Sequence, residues 1–262
     1  MINNSTPQIT AIKSDLLGQT MASKEQHLGA CALNYQQTKN RMFPLKLDLF
    51  GNKTTAADGW FVGECREKPL YAVNRNPGRK PRSDNLPDVI LYAGPTEATP
   101  VLASARYVQT HHENYLVTIP PVLGSTENPV EEAVSNKGSW NKIVWRFSIE
   151  TEVEGHREEF EWRKSSSSNI SRLLGGTSSG YKLVRLSSID TTKPTGEWVS
   201  RTDGGEVVAA CSGGFSSFTS WWIIGFVGVG ATGDLGGRWE VMTLITALVL
   251  KDQSIKRSQE AS

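Results

Sequence analysis

Residues 239–250 read WEVMTLITALVL, and nine of these twelve are apolar: Trp239, Val241, Met242, Leu244, Ile245, Ala247, Leu248, Val249 and Leu250. Wound as a helix, that set covers every side. A surface helix carries one apolar stripe and a polar back, so a helix apolar all round has to be enclosed by protein or by lipid. Twelve residues at 1.5 Å each reach only about 18 Å, short of the ~30 Å hydrocarbon core of a bilayer. Protein must therefore enclose it. The charged KDQSIKR that follows is expected to end the helix, with Lys251 at the negative end of its dipole. The competing reading is a strand, because Val, Ile and Thr are strand formers. The helix is the reading adopted.

The enclosing material is predicted to be β-sheet. Phe43, Leu45, Leu47 and Leu49 alternate with Pro44, Lys46 and Asp48, the period of a strand with one buried face. Similar short runs follow at residues 60–64, 70–74, 89–92, 101–108, 115–119, 143–149, 157–163, 181–186, 197–202, 207–211 and 218–227, separated by Gly, Pro, Asn or Asp clusters. A parallel sheet needs crossover helices, and no helix of useful length separates these runs. Antiparallel strands around a wholly apolar helix lose their exposed edges by closing into a barrel. Three stretches, 76–87, 121–138 and 165–180, are expected to be loops on its rim.

Length and charge narrow the function classes. The 262 residues allow one large domain, and 28 Lys and Arg against 27 Asp and Glu leave a net charge of only +1. No global field draws such a chain to nucleic acid, so any basic site is a local patch. The polar opening MINNSTPQITAIKSDLLGQT lacks the apolar run of a secretion signal. Three cysteines, Cys31, Cys65 and Cys211, are an odd count with no C-x-x-C pair, which suggests neither a disulfide framework nor zinc. A cytoplasmic protein, peripheral to membranes at most, is expected. Residues 1–38 read as a mobile tail, 39–255 as one barrel domain and 256–262 as a polar tail.

GVGATGDLGGRWEVMTLITALVL, EFEWRK at 159–164, YKLVRL at 181–186 and the stretch from PLYAV at 69 to DVILYAGPTEATPVLASARY at 88–107 together resemble fungal proteins of the tubby C-terminal-like superfamily. That superfamily includes phospholipid scramblases and plant LURP-one-related proteins. The resemblance spans roughly residues 43–251 and rests on the order of its motifs. It implies a mainly β fold: a closed antiparallel barrel of about twelve strands around a buried hydrophobic C-terminal helix, with Trp239, Met242, Leu244, Ile245 and Leu248 inside. The run WWIIGFVGVGA at 221–231 is more apolar than a last barrel strand needs, which requires burial on both faces or contact with a membrane. The basic headgroup motif of tubby proteins has no counterpart, so none of their binding residues transfers.

Candidate chemistry is sparse. Gly228, Gly230 and Gly233 satisfy G-x-G-x-x-G between a strand and a helix, but dinucleotide binding also needs a second parallel strand and an acidic residue about 20 positions on. These glycines read better as a turn from barrel wall to interior. Adjacent His111 and His112 suggest a turn rather than a metal site, and His156 with Glu158 and Glu159 a solvated hairpin. No metal or cofactor is expected. Arg66, Lys68, Arg75, Arg79, Lys80 and Arg82 form the one basic constellation, most of it in NRNPGRKPRSDN. Near an anionic leaflet each such residue contributes about 1 kcal/mol. The expected function is a monomeric, non-catalytic barrel that recognises anionic phospholipid headgroups through Arg75, Arg79, Lys80 and Arg82, or serves as a membrane-proximal adaptor. Alternatives are a module holding a protein partner through the 165–180 loop and, further off, a nucleotide-dependent enzyme at residues 228–233. No nucleic-acid partner is expected.

Overall fold

In the β1 strand, Lys46–Gly51, Leu47 and Leu49 are fully buried on one face while Lys46 and Asp48 occupy the other, the alternation a pleated strand imposes. This comes from a computed structural model that describes residues 41–51, 59–76, 86–109, 113–121, 126, 128–137, 144–152, 156–166, 168–186, 205–214 and 222–260. The expected N-terminal tail lies outside these residues. The further strands are β2 (Trp60–Cys65), β3 (Lys68–Arg75), β4 (Val89–Tyr92), β5 (Val101–Gln109), β6 (Glu113–Ile119), β7 (Val130–Asn136), β8 (Val144–Glu150), β9 (Arg157–Ser165), β10 (Gly180–Arg185), β11 (Glu206–Gly213) and β12 (Trp222–Phe226). Two α-helices accompany them among the described residues, α1 (Ser168–Leu174) and α2 (Gly237–Glu260).

Each strand pairs antiparallel with its neighbours in sequence, and β1 closes on β12 with Leu47 opposite Ile224, giving a closed barrel of twelve strands. Closure leaves no outer edge. The seventh strand lies in the 121–138 stretch expected to be loop. Its inward row is Val130, Glu132 and Val134, so a carboxylate interrupts the alternation. Glu132 is buried nonetheless because Arg157 pairs with it. The strand expected at 197–202 lies outside the described residues.

Inside the barrel runs α2. From Trp239 to Leu250 no residue is more than 3% exposed, including the five expected inside, Trp239, Met242, Leu244, Ile245 and Leu248. Trp239 packs between Phe160 and Phe226, with ring centroids 5.8 and 5.9 Å away. Thr246 avoids an unmet hydroxyl by donating to the Met242 carbonyl at 2.8 Å and accepting from the Trp162 indole at 2.9 Å.

The helix does not end at Leu250. It continues to Glu260, because Asp252 and Lys256 find charged partners within the barrel mouth.

The apolar excess of β12 has a structural cause. All five of its residues are buried, with α2 inside and α1 outside, where Ile170 and Leu174 pack on Ala210 and Ile223. Gly225 permits that approach, since a Cβ there would come within 2.5 Å of Leu174 Cδ2. Protein covers residues 222–226 on both faces, and no lipid is needed to explain them.

At the N-terminal end of α2, Arg41 and Glu240 seal the barrel. The Glu240 carboxylate accepts the backbone N–H groups of Met42 and Phe43 at 3.0 and 2.9 Å and lies 3.5 Å from Arg41 Nη1. That nitrogen donates to the Gly230 carbonyl at 2.6 Å, and the guanidinium lies over Phe226.

Candidate functional site

Among the described members of the basic constellation, Lys68 and Arg75 lie apart. Lys68 opens β3 and Arg75 closes it, so at about 3.3 Å per residue they lie some 20 Å apart at opposite ends of the barrel. Arg75 belongs to the mouth through which the charged end of α2 emerges. Arg75, expected in an exposed loop, is instead buried, its guanidinium 5.1 Å over Trp60 and its Nη1 3.1 Å from Asp252 Oδ1. The inward row of β3 explains this, because Val73 and Arg75 point the same way. Arg79, Lys80 and Arg82 lie outside the described residues.

What the structure does define is the base of the segment carrying those three. Asn76 donates its backbone N–H to the Asp88 carbonyl at 2.7 Å and its side-chain amide to Asp88 Oδ1 at 3.3 Å, so the two ends are joined. Asp88 is almost fully buried and accepts the Tyr107 N–H at 2.7 Å.

From α2, Lys256 Nζ lies 2.7 Å from Asp252 Oδ2 and 3.9 Å from Asp88 Oδ1. Arg75, Asp252, Lys256 and Asp88 thus form one buried chain of alternating charge that links the β3 and β4 ends to the last turns of the central helix. Burial pushes the Asp252 carboxyl up, and Lys256 and Arg75 pull it part of the way back.

Two more residues complete this mouth. Lys251 extends over the Trp222 ring, its ammonium 5.2 Å from the centroid, and Tyr181 lies against the same ring at 6.2 Å. Burial, with the neighbouring Arg75 charge, holds the Lys251 ammonium below its ordinary range. The sequence pattern alone marks Lys251 only as a helix terminator and does not single out Asp252 and Lys256. A signal was there: Leu248, Asp252 and Lys256 follow at four-residue steps, continuing one face of the buried helix.

Elsewhere the candidates resolve into structure. Gly228 and Gly233 adopt φ of 54° and 88°, the left-handed region open to glycine. A Cβ on Gly230 would lie 2.1 Å from the Val208 carbonyl oxygen. The Val229 N–H, which would face a phosphate in a nucleotide loop, donates to the Glu206 carboxylate at 3.1 Å. An anion there meets like charge.

Glu158 is no free acid, since Arg185 Nη2 and Thr151 Oγ1 donate to its Oε1 at 2.7 and 3.1 Å. His111 and His112 lie outside the described residues. Cys211 is fully buried and its thiol pushed up by that burial, the wrong direction for a nucleophile. Among the described residues no group of three His, Cys, Asp or Glu could hold a metal ion, and no helix is long and apolar enough to cross a membrane. No family model, no curated protein and no solved structure matches this chain.

Proposed function

We propose that the protein is a non-catalytic barrel of the tubby, scramblase and LURP-one type that docks on anionic phospholipid headgroups at the mouth where α2 emerges. The observation that carries the reading is the filled lumen. With residues 239–250 occupying it, the interior is a packed core rather than a substrate cavity, and recognition falls to the mouths and outer wall. The stretch holding Arg79, Lys80 and Arg82 starts and ends at that mouth, its base tied by Asn76 and Asp88. Three basic residues at about 1 kcal/mol each support weak, salt-sensitive adhesion to an anionic leaflet. The protein would then work from the cytoplasmic side as a peripheral adaptor.

The test is co-sedimentation with phosphatidylcholine vesicles, with and without anionic lipid. Sedimentation only with the anionic vesicles, lost when Arg79, Lys80 and Arg82 become Glu, supports the proposal. Equal and negligible binding to both vesicle types removes it. The rival role for the 165–180 loop as a protein-binding arm is weakened by α1, whose Ile170 and Leu174 are already used against the barrel wall.

A further inference from the structure

We propose that Lys251 is the residue at the α2 C-terminal mouth that binds a phosphate group. It rests on the lipid reading only for the source of that phosphate. Among the described residues the charges of the mouth do not balance: Arg75, Lys251 and Lys256 face Asp88 and Asp252, three cations against two carboxylates. Arg75 and Lys256 are each satisfied by Asp252, and Lys256 also approaches Asp88. The surplus falls on Lys251, whose ammonium meets the Trp222 ring and no carboxylate among the described residues.

Its circumstances call for an anion. Lys251 is half-buried, so it has lost part of its hydration yet stays within reach of solvent, and Arg75 adds repulsion rather than relief. A bound dianion offsets both costs at once. Lysine serves such groups as a compact point charge. The flat Trp222 ring beneath, braced by Tyr181, fixes the direction from which the ammonium can be met. Arg257 adds further positive charge near Tyr181.

The experiment compares wild type, Lys251→Gln and Lys251→Arg, using inorganic phosphate and phosphatidylcholine vesicles with or without phosphatidic acid. Phosphate is expected to raise the melting temperature of wild type and of Lys251→Arg but not of Lys251→Gln, which without phosphate melts no lower than wild type. Affinity for phosphatidic acid vesicles is expected to fall about fivefold in Lys251→Gln, one basic residue's contribution. An equal response of wild type and Lys251→Gln to phosphate overturns the assignment. If reversing Arg79, Lys80 and Arg82 abolishes sedimentation while Lys251→Gln sediments as wild type, the Lys251 site falls and the lipid reading stands. If phosphate stabilises through Lys251 and no vesicle binds, the site stands, its ligand is a soluble phosphate ester, and the lipid reading falls.

Discussion

Asp48 lies on the outer face of β1, in register between Gly63 of β2 and Ile223 of β12, where its Oδ1 is buried without a hydrogen bond. Burial raises its carboxyl from 3.8 to about 6, against a partial offset from Lys46. Between those values the folded chain keeps a proton that the unfolded chain releases. The fold is therefore unpenalised below about pH 4 and loses stability as pH rises through 6. A displacement of that size is worth at most about 3 kcal/mol, and solvent screening reduces it to about 1–2 kcal/mol. Asp48→Asn is expected to raise the melting temperature at pH 7 by about 3–6 °C and to leave it unchanged at pH 3.5, checked by thermal denaturation at both. Gly230 makes the opposite case. A methyl there meets the Val208 backbone and the Trp239 ring, at 2.1 and 2.7 Å, and neither can step aside inside a packed barrel. Gly230→Ala is expected to cost about 3 kcal/mol, the upper end for overpacking, read as a lower denaturant midpoint.

At the scale of an element, α2 joins two kinds of helix end to end. Its first half is an apolar rod, and Leu248→Asp would place an unpaired carboxylate at a fully buried position at a cost of several kcal/mol. Loss of a cooperative unfolding transition is the expected outcome, followed by denaturant titration; unchanged melting would contradict the enclosed rod. The second half is held by ion pairs, where removing one partner strands the others at about 3–5 kcal/mol. Asp252→Ala, which removes the carboxylate that faces both Arg75 and Lys256, should accordingly lower stability far more than a surface change such as Glu159→Ala. Paired urea titrations measure the difference. The apolar run and the ion-paired run need each other's registration, since Leu248 and Asp252 share a face.

At the scale of the whole molecule, helix and wall form one cooperative unit. Trp239, Val241, Met242, Leu244, Ile245, Leu248, Val249 and Leu250 are eight large side chains almost wholly buried in the lumen. At about 1.5–3 kcal/mol each, their gross burial of roughly 12–24 kcal/mol matches or exceeds the ~5–15 kcal/mol net stability of a domain. A chain shortened before residue 237 is expected to lose its near-ultraviolet circular dichroism and bind a hydrophobic dye, while the full chain shows one transition. Much of this plan is legible without coordinates. WEVMTLITALVL is apolar on every side, and the two-residue alternation of β1 and β9 shows in their sequences. Both follow from local periodicity, which a chain carries whatever it packs against. Other features are not local. SNISRLL becomes α1 because β12 offers it an apolar wall, VEEAVSN becomes β7 because Arg157 arrives from β9 to meet Glu132, and Arg75 turns inward because Asp252 waits there from 177 residues along the chain. The sequence by itself determined a wholly apolar rod and the strands to surround it, because hydrophobic spacing is written residue by residue. Tertiary structure alone decided which charges face inward, because a buried charge is tolerated only where folding brings its partner within a few ångströms.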